Sequence, residues 1–486
     1  MTAQTILPAN TLSSGYDVAN SLRFNTASTD YLNRTAVTGT SRRKFTISVW
    51  VKIQNGGDIN HFSSFEDGNN RFFFWVATGI VRVLNTTGGT DNLDLRTNRV
   101  LRDSSAWYHL VLQIDSTHGN ASFRARLYIN GVQETSFATA SYPSQNADLE
   151  VGTSSHTIDI GRYGGGGDEF NGYMCEYVHL DGLDHAASFF GEFDDDSGIW
   201  KPKDVSDFTF GNNGFYLEFK QSGTSQNSSG LGADTSGEDH HFAVNNLTAI
   251  DQTTDTCTNN FATLNPNNGT GSRTQNDTYS EGNTIMIPAN HDNYTTTFAT
   301  MGAKNGKWYW EAQSIVEGTA SNAYYPRTIG IMTDNNPLTA STLGQDQFSW
   351  DVVYNSGNWD ASHNNSVVVD NMSTDRTSGN ILQFALDLDN GKFYFGIGGS
   401  YLNSGDPTTG STGTGAIHTL SAADLGNFII PAVTNATTGT YYKFNFGNPA
   451  FSISSGNADA NGHGNFEYAP PSGYFAWCSK NLAEFG

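Results

Sequence analysis

Phe45-Thr-Ile-Ser-Val-Trp-Val-Lys-Ile53 alternates without a break, with Phe45, Ile47, Val49, Val51 and Ile53 on one side of an extended chain and Thr46, Ser48, Trp50 and Lys52 on the other. A two-residue period marks a β-strand with one face on a core, so the stretch predicts a half-buried strand. The pattern recurs in Trp107-Tyr-His-Leu-Val-Leu-Gln-Ile114, where Tyr108, Leu110, Leu112 and Ile114 share a face, and in Gly214-Phe-Tyr-Leu-Glu-Phe-Lys220. Asn130-Gly131, between Arg124-Ala-Arg-Leu-Tyr-Ile and Val132, predicts a hairpin because both residues tolerate positive φ. Alternation resumes in Lys307-Trp-Tyr-Trp-Glu-Ala-Gln313, Thr328-Ile-Gly-Ile-Met332 and Phe348-Ser-Trp-Asp-Val-Val-Tyr354. A second hairpin is predicted around Asn390-Gly391, with Phe384, Leu386 and Leu388 before it and Phe393, Phe395 and Ile397 after it. Many short strands punctuated by Gly and Asn argue for an all-β chain of two β-sandwich (jelly-roll) domains.

Between the two lobes, the segment 221–300 is dominated by Asn, Thr, Ser, Gly and Asp, with Arg273 as its lone Lys or Arg. It predicts a long polar connector, extended or draped on its neighbours. The expected organisation is an N-terminal arm over 1–20, a first sandwich over 21–220, the connector over 221–300, a second sandwich over 301–447 and a C-terminal tail over 448–486.

Composition agrees with this class. The 486 residues include 31 Phe, 21 Tyr, 9 Trp and 52 Gly, and aromatic residues suit pleated surfaces while Gly suits their turns. Net charge is −23, which argues against nucleic acid as a partner because phosphate contacts need clustered cations. Cys175, Cys257 and Cys478 are too scattered for a metal or redox pair and are expected as buried thiols. The start Met1-Thr-Ala-Gln-Thr-Ile-Leu-Pro8 has no export-signal pattern, and no stretch approaches the ~20 apolar residues of a membrane span, so no membrane insertion is expected.

The first lobe resembles the concanavalin A-like, laminin-G-type jelly roll of structural proteins from marine tailed bacteriophages. The resemblance is carried by Ser21-Leu-Arg-Phe-Asn25, the 45–53 strand, Asp103-Ser-Ser-Ala-Trp-Tyr-His-Leu-Val111, Arg126-Leu-Tyr-Ile-Asn-Gly-Val-Gln133, Phe170-Asn-Gly-Tyr-Met174 and Gly191-Glu-Phe-Asp-Asp-Asp-Ser-Gly-Ile-Trp-Lys-Pro-Lys203. The second lobe is similar to the SPRY-like sandwich that follows it, through Gly306-Lys-Trp-Tyr-Trp-Glu311, Ala385-Leu-Asp-Leu-Asp-Asn-Gly-Lys-Phe-Tyr-Phe395 and Tyr442-Lys-Phe-Asn-Phe-Gly-Asn-Pro-Ala-Phe451. What the resemblance implies is a virion protein, a tail fibre, spike or other surface appendage, assembled in the host cytoplasm and then carried outside on the particle. The expected partner is either a host surface glycan or a neighbouring virion protein, and a homo-oligomer is expected, the resemblance implying a trimer. A purely architectural decoration and a glycan depolymerase are the competing readings.

Catalysis is not expected. Retaining glycosidases need two carboxyls about 5 to 5.5 Å apart. Laminarinase-like jelly rolls supply them as Glu-x-Asp-x-x-Glu, whereas Glu192-Phe-Asp-Asp-Asp-Ser197 ends on serine and reads as a solvated acidic loop whose Asp side chains cap the next segment. His109, opposite Tyr108 and Leu110 in the alternation, reads as a packed or surface residue rather than a general base. Calcium is the one cofactor in view, with Asp168, Glu169, Asp181 and Asp184 as candidate ligands because related jelly rolls bind it through loop oxygens. Loop aromatics beside Asn, Asp and Gly are the stronger lead, since sugars stack C–H faces on rings and bond hydroxyls to polar neighbours. Tyr163, Asp168, Tyr324, Tyr325, Tyr354 and Trp359 are the candidate ligand-binding residues.

Overall fold

The computed structural model describes residues 15–54, 59–266, 277–288, 295–316, 328–338, 342–435 and 440–486. The chain divides between Asn260 and Phe261 into two compact units, and each is a β-sandwich.

The first unit is built from β1 (Ser21–Phe24), β2 (Tyr31–Thr35), β3 (Lys44–Ile53), β4 (Ile59–Asp67), β5 (Asn70–Ala77), β6 (Ile80–Thr87), β7 (Thr90–Val100), β8 (Trp107–Asp115), β9 (Ala125–Ile129), β10 (Val132–Gln133), β11 (Phe137–Ser141), β12 (Thr157–Ile160), β13 (Gly172–Asp181), β14 (Gly191–Phe193), β15 (Trp200–Pro202), β16 (Phe215–Leu217), β17 (Ala243–Asn245) and β18 (Gln252–Thr253). One sheet has the order β10-β9-β8-β3-β13-β1-β18, with β16 also on β13, and the other has the order β11-β7-β6-β5-β4-β12-β2-β17. Their inner faces share a core that contains all five residues of the deciding alternation, Phe45, Ile47, Val49, Val51 and Ile53, together with Leu110, Leu112 and Ile114. The expected hairpin joins β9 to β10, with Asn130 and Gly131 both at positive φ.

The half-buried expectation for β3 is corrected. Thr46, Ser48, Trp50 and Lys52 are buried as well. A second, smaller apolar layer covers that face: Trp50 packs with Phe190, Trp200, Val205, Phe210 and Cys257, residues far from it in sequence. The three cysteines are buried.

The second unit contains β19 (Thr278–Ser280), β20 (Ile285–Ile287), β21 (Thr295–Phe298), β22 (Lys307–Val316), β23 (Thr328–Thr333), β24 (Ser349–Asn355), β25 (Asn358–His363), β26 (Ser366–Ser373), β27 (Ile381–Asp387), β28 (Lys392–Ile397), β29 (Ser400–Tyr401), β30 (His418–Thr419), β31 (Ile429–Asn435), β32 (Thr440–Asn445), β33 (Phe475–Ala476) and α1 (Ser479–Phe485). Its sheets have the orders β19-β20-β32-β22-β27-β28-β29 and β21-β31-β23-β24-β25-β26. Trp308, Trp310, Phe384, Phe393 and Phe395 fill the space between them. The hairpin β27–β28 closes over 388–391, because Asp387 pairs with Lys392. No helix among the described residues is long and apolar enough to cross a membrane.

The segment 221–300 is shared between the units. Leu231, Phe242 and Leu247 enter the first core, whereas Leu264, Met286 and Phe298 enter the second. In the 448–486 segment, Phe466, Tyr474 and Cys478 are buried against Tyr309 and Tyr394. The Glu311 carboxylate holds this segment by accepting the backbone N–H groups of Glu467 at 3.0 Å and Tyr468 at 2.8 Å.

Candidate functional site

The outer face of the second sheet of the first unit carries an open trough of about 440 Å³. Strand alternation builds it. In β5, Phe72, Phe74 and Val76 enter the core while Arg71, Phe73, Trp75 and Ala77 turn to the trough. In β6, Val81 and Val83 point in, and Ile80, Arg82 and Leu84 point out. On β4 a register shift between His61 and Ser63 lets Phe62 and Phe65 both reach the core, although they are an odd number of residues apart, and leaves His61 on the outer face. Register then aligns His61, Trp75, Arg82 and Arg96 as one row across β4, β5, β6 and β7.

The row is stacked. His61 lies parallel to Trp75, with ring centroids 5.3 Å apart and planes at 11°, and the Arg82 guanidinium carbon is 4.8 Å from the Trp75 centroid. Imidazole and guanidinium thus occupy the stacking surface of the indole, which is 7% exposed. Asp94 fixes Arg82, accepting from Nε at 3.0 Å and Nη2 at 3.1 Å, accepts from Arg96 Nε at 3.4 Å, and lies 3.3 Å from Arg96 Nη2 in an ion pair. Phe73 meets Trp75 edge-on, and Tyr163 meets Phe73 the same way at 5.2 Å. Arg71 sits 5.4 Å from the Phe73 centroid, has no ion-pair partner among the described residues, and its buried Nε lacks an acceptor. His61 is 4% exposed and its Nδ1 has no hydrogen-bond partner. Burial pulls its pKa down to about 4, so the ring is neutral at neutral pH.

Two of the sequence candidates come together here. Tyr163 and the exposed Asp168 line the trough, and the Asp168 carbonyl accepts the His61 N–H at 3.5 Å. Tyr324 and Tyr325 lie outside the described residues. Tyr354 and Trp359 belong to the second unit, where the Tyr354 hydroxyl donates to the Thr374 carbonyl at 3.2 Å. Trp359 is 1% exposed, packs in the core and donates its indole N–H to the Asp375 carbonyl, so it offers no surface to a ligand. Its neighbourhood, read as a loop, is strand β25.

The calcium candidates do not assemble. Asp181 spends its oxygens on the backbone N–H groups of Thr40, Ser41 and Asn213, and Asp184 pairs with Lys44 at 3.4 Å. Among the described residues no three His, Cys, Asp or Glu side chains, Asp168 and Glu169 included, are grouped to hold a metal. The acidic loop caps itself: Asp194 accepts the Ser197 N–H at 2.9 Å and Oγ–H at 2.8 Å, and Glu192 pairs with Lys203.

His109 stands 2.8 Å from Ser48 Oγ through Nε2, which invites comparison with a nucleophile and its base. However, Trp200 Nε1–H, a donor only, bonds Nδ1 at 2.9 Å. Nδ1 must therefore accept, the proton of the neutral ring lies on Nε2 facing Ser48, and His109 cannot take a proton from that hydroxyl. Complete burial between Trp50 and Trp200 lowers its pKa to about 3. This is a packing element.

Reading strands for their core faces passes over the trough. A signal is nevertheless present in Arg71-Phe-Phe-Phe-Trp-Val-Ala77, where three of the four outward positions, Arg71, Phe73 and Trp75, are aromatic or cationic when a solvated face should be small and polar.

Residues 25–181 match the family model described as the concanavalin A-like lectin/glucanases superfamily, in agreement with the fold expected of the first lobe. No curated protein matches the chain. Among solved structures, the chain is similar to the TRIM65 PSpry domain at 17% identity and TM-score 0.27, over 38% of this chain and 91% of that one. It is similar to the SPRY domain of human HERC1 at 15% identity and TM-score 0.25, over 33% and 86%. A native heptameric SAP-like pentraxin from Limulus polyphemus matches at 15% identity and TM-score 0.27, over 35% and 80%.

Proposed function

We propose that this chain is a non-enzymatic structural protein of a tailed-bacteriophage virion, a fibre, spike or similar surface appendage, whose first sandwich binds a host surface glycan. The trough carries the binding reading. Its volume of about 440 Å³ suits a small ligand, and it combines an aromatic wall of Phe73, Trp75 and Tyr163 with convergent polar groups on strands rather than on mobile loops. The virion assignment rests on the ordered resemblance of segments along the chain. A binding rather than cleaving role fits the carboxylates at the trough: Asp94 is engaged by two arginines, and Asp168 is the lone acid lining it among the described residues. Several copies on one particle, each making a weak contact, would attach through high effective concentration, and the other contacts of the chain would be with virion neighbours in a homo-oligomer.

The test is binding of the full chain to an array of microbial surface polysaccharides. Tyr163→Ala is expected to weaken a positive signal about tenfold, whereas Tyr354→Ala in the second unit leaves it unchanged. No binding to any polysaccharide, with attachment to virions retained, would favour an architectural role instead. New reducing ends in the bound polysaccharide would establish a depolymerase.

A further inference from the structure

The polar groups of the trough are unevenly matched. Arg71, Arg82 and Arg96 line it in a chain with only 25 Lys and Arg residues and a net charge of −23. A guanidinium donates and never accepts. One carboxylate, Asp94, serves both Arg82 and Arg96, so that cluster retains a positive charge. Glu66, the register partner of Arg71 on β4, lies close enough to feel its charge yet makes no ion pair with it. His61 is almost wholly buried, with an unsatisfied Nδ1. Stacking, on which neutral sugars depend, is meanwhile restricted, because His61 and Arg82 already stack on Trp75 and leave Tyr163 as the half-exposed ring.

We infer that the saccharide held by this trough is anionic, with carboxylate or sulfate groups that accept from Arg71 and from the free N–H groups of Arg82 and Arg96. The inference rests on the trough being a glycan site. Hydroxyls of a neutral sugar satisfy guanidinium donors with single bonds to an uncharged acceptor, whereas carboxylate and sulfate oxygens accept two at once and pair opposite charges. The ring of Phe73 beside Arg71 and the low exposure of Trp75 and His61 keep water off one side of the site, which strengthens such pairs. Binding at the trough therefore runs against the overall charge of the protein and depends on this local inversion of sign.

The experiment is calorimetric titration of the full chain with three oligosaccharides of matched length: oligogalacturonate, which supplies carboxylates, κ-carrageenan fragments, which supply sulfates, and neutral laminarin fragments. At least one anionic sugar is expected to bind about tenfold tighter than laminarin and to weaken as salt rises from about 50 to about 500 mM. Binding of oligogalacturonate alone identifies carboxylate as the recognised group, binding of carrageenan alone identifies sulfate, and binding of both identifies charge. Arg71→Gln should lose about tenfold for the anionic sugar and Arg71→Lys less, since lysine keeps the charge but not the fork. The exposed Asp168→Asn should gain about threefold by removing a repelling charge, a readout independent of the buried part of the site. Laminarin binding as tightly as the charged sugars, with Arg71→Gln and Asp168→Asn both silent, overturns the inference while leaving the trough a glycan site. Failure of every sugar, on this panel and on the polysaccharide array, overturns both.

Discussion

Lys52 lies on the covered face of β3, where its side chain is 2% exposed and its ammonium donates to Asp255 at 2.8 Å and to Asn260 at 2.7 Å. Trp107 Nε1–H adds a third tie, to Asp255 Oδ1 at 3.1 Å. A charge this deep is tolerated because it is matched, and removing one partner strands the other. Lys52→Met is therefore expected to destabilise the first unit by about 3–5 kcal/mol, read as a lower urea midpoint; loss below about 1 kcal/mol would show the pair to be solvated. Glu176 is a different case. It sits at positive φ where β13 shifts register against β3, and accepts from the hydroxyls of Tyr16 and Tyr216. Burial pushes its pKa from 4.5 up to about 7. The folded chain thus holds this proton more tightly than the unfolded chain, so its contribution is complete below about pH 4.5 and declines as pH rises towards 7, by up to ~3 kcal/mol. Glu176→Gln should flatten stability across that window and raise it at pH 8, as denaturant titrations at several pH values will read; an unchanged slope would contradict the assignment.

The β9–β10 hairpin shows how an element is locked to its roof. Gly131 has φ +78°, and a Cβ there would come within 2.2 Å of the Trp200 ring. Gly131→Ala adds strain and displaces Trp200 from His109, and is expected to cost about 1–3 kcal/mol. Gly68→Ala, at φ +61° with nothing within 4 Å of its Cβ, should cost less, about 1 kcal/mol, so thermal melts of the two separate clash from backbone strain. Elements are also the level at which the sequence was most and least legible. Alternation in 45–53 identified the core face of β3 because one residue type repeats at one period. It could not show that Trp50 is roofed by Phe190, Trp200 and Phe210, since a second layer is formed by segments that local periodicity does not connect. Tyr163 and Asp168 stood out as an aromatic and an acid flanking glycines. His61, Trp75, Arg82 and Arg96 did not, because they are scattered along four strands and become one row only through register. Trp359 misled for the opposite reason: Asn and Asp beside it imitate a turn, while β25 carries its ring into the core.

At the scale of the molecule, two cores divided at Asn260 and Phe261 give two units with separate hydrophobic clusters. A fragment of residues 15–260 is expected to fold alone and to keep the proposed glycan binding, whereas 261–486 should fold without it; near-ultraviolet circular dichroism and the same titrations check both. Loss of binding from a folded 15–260 fragment would show that the second unit contributes to recognition. The net charge of −23 belongs to this scale too, because it opposes any anionic surface in bulk and leaves the arginines of the trough as a local exception. The most direct measurement is a crystal structure of the full chain soaked with an acidic oligosaccharide. The account predicts density for the sugar over the outer face of β4 to β7, with an anionic group within hydrogen-bond distance of Arg71 or Arg96 and a ring against Tyr163. Sugar density on the second unit around Tyr354, with the trough empty, would contradict it.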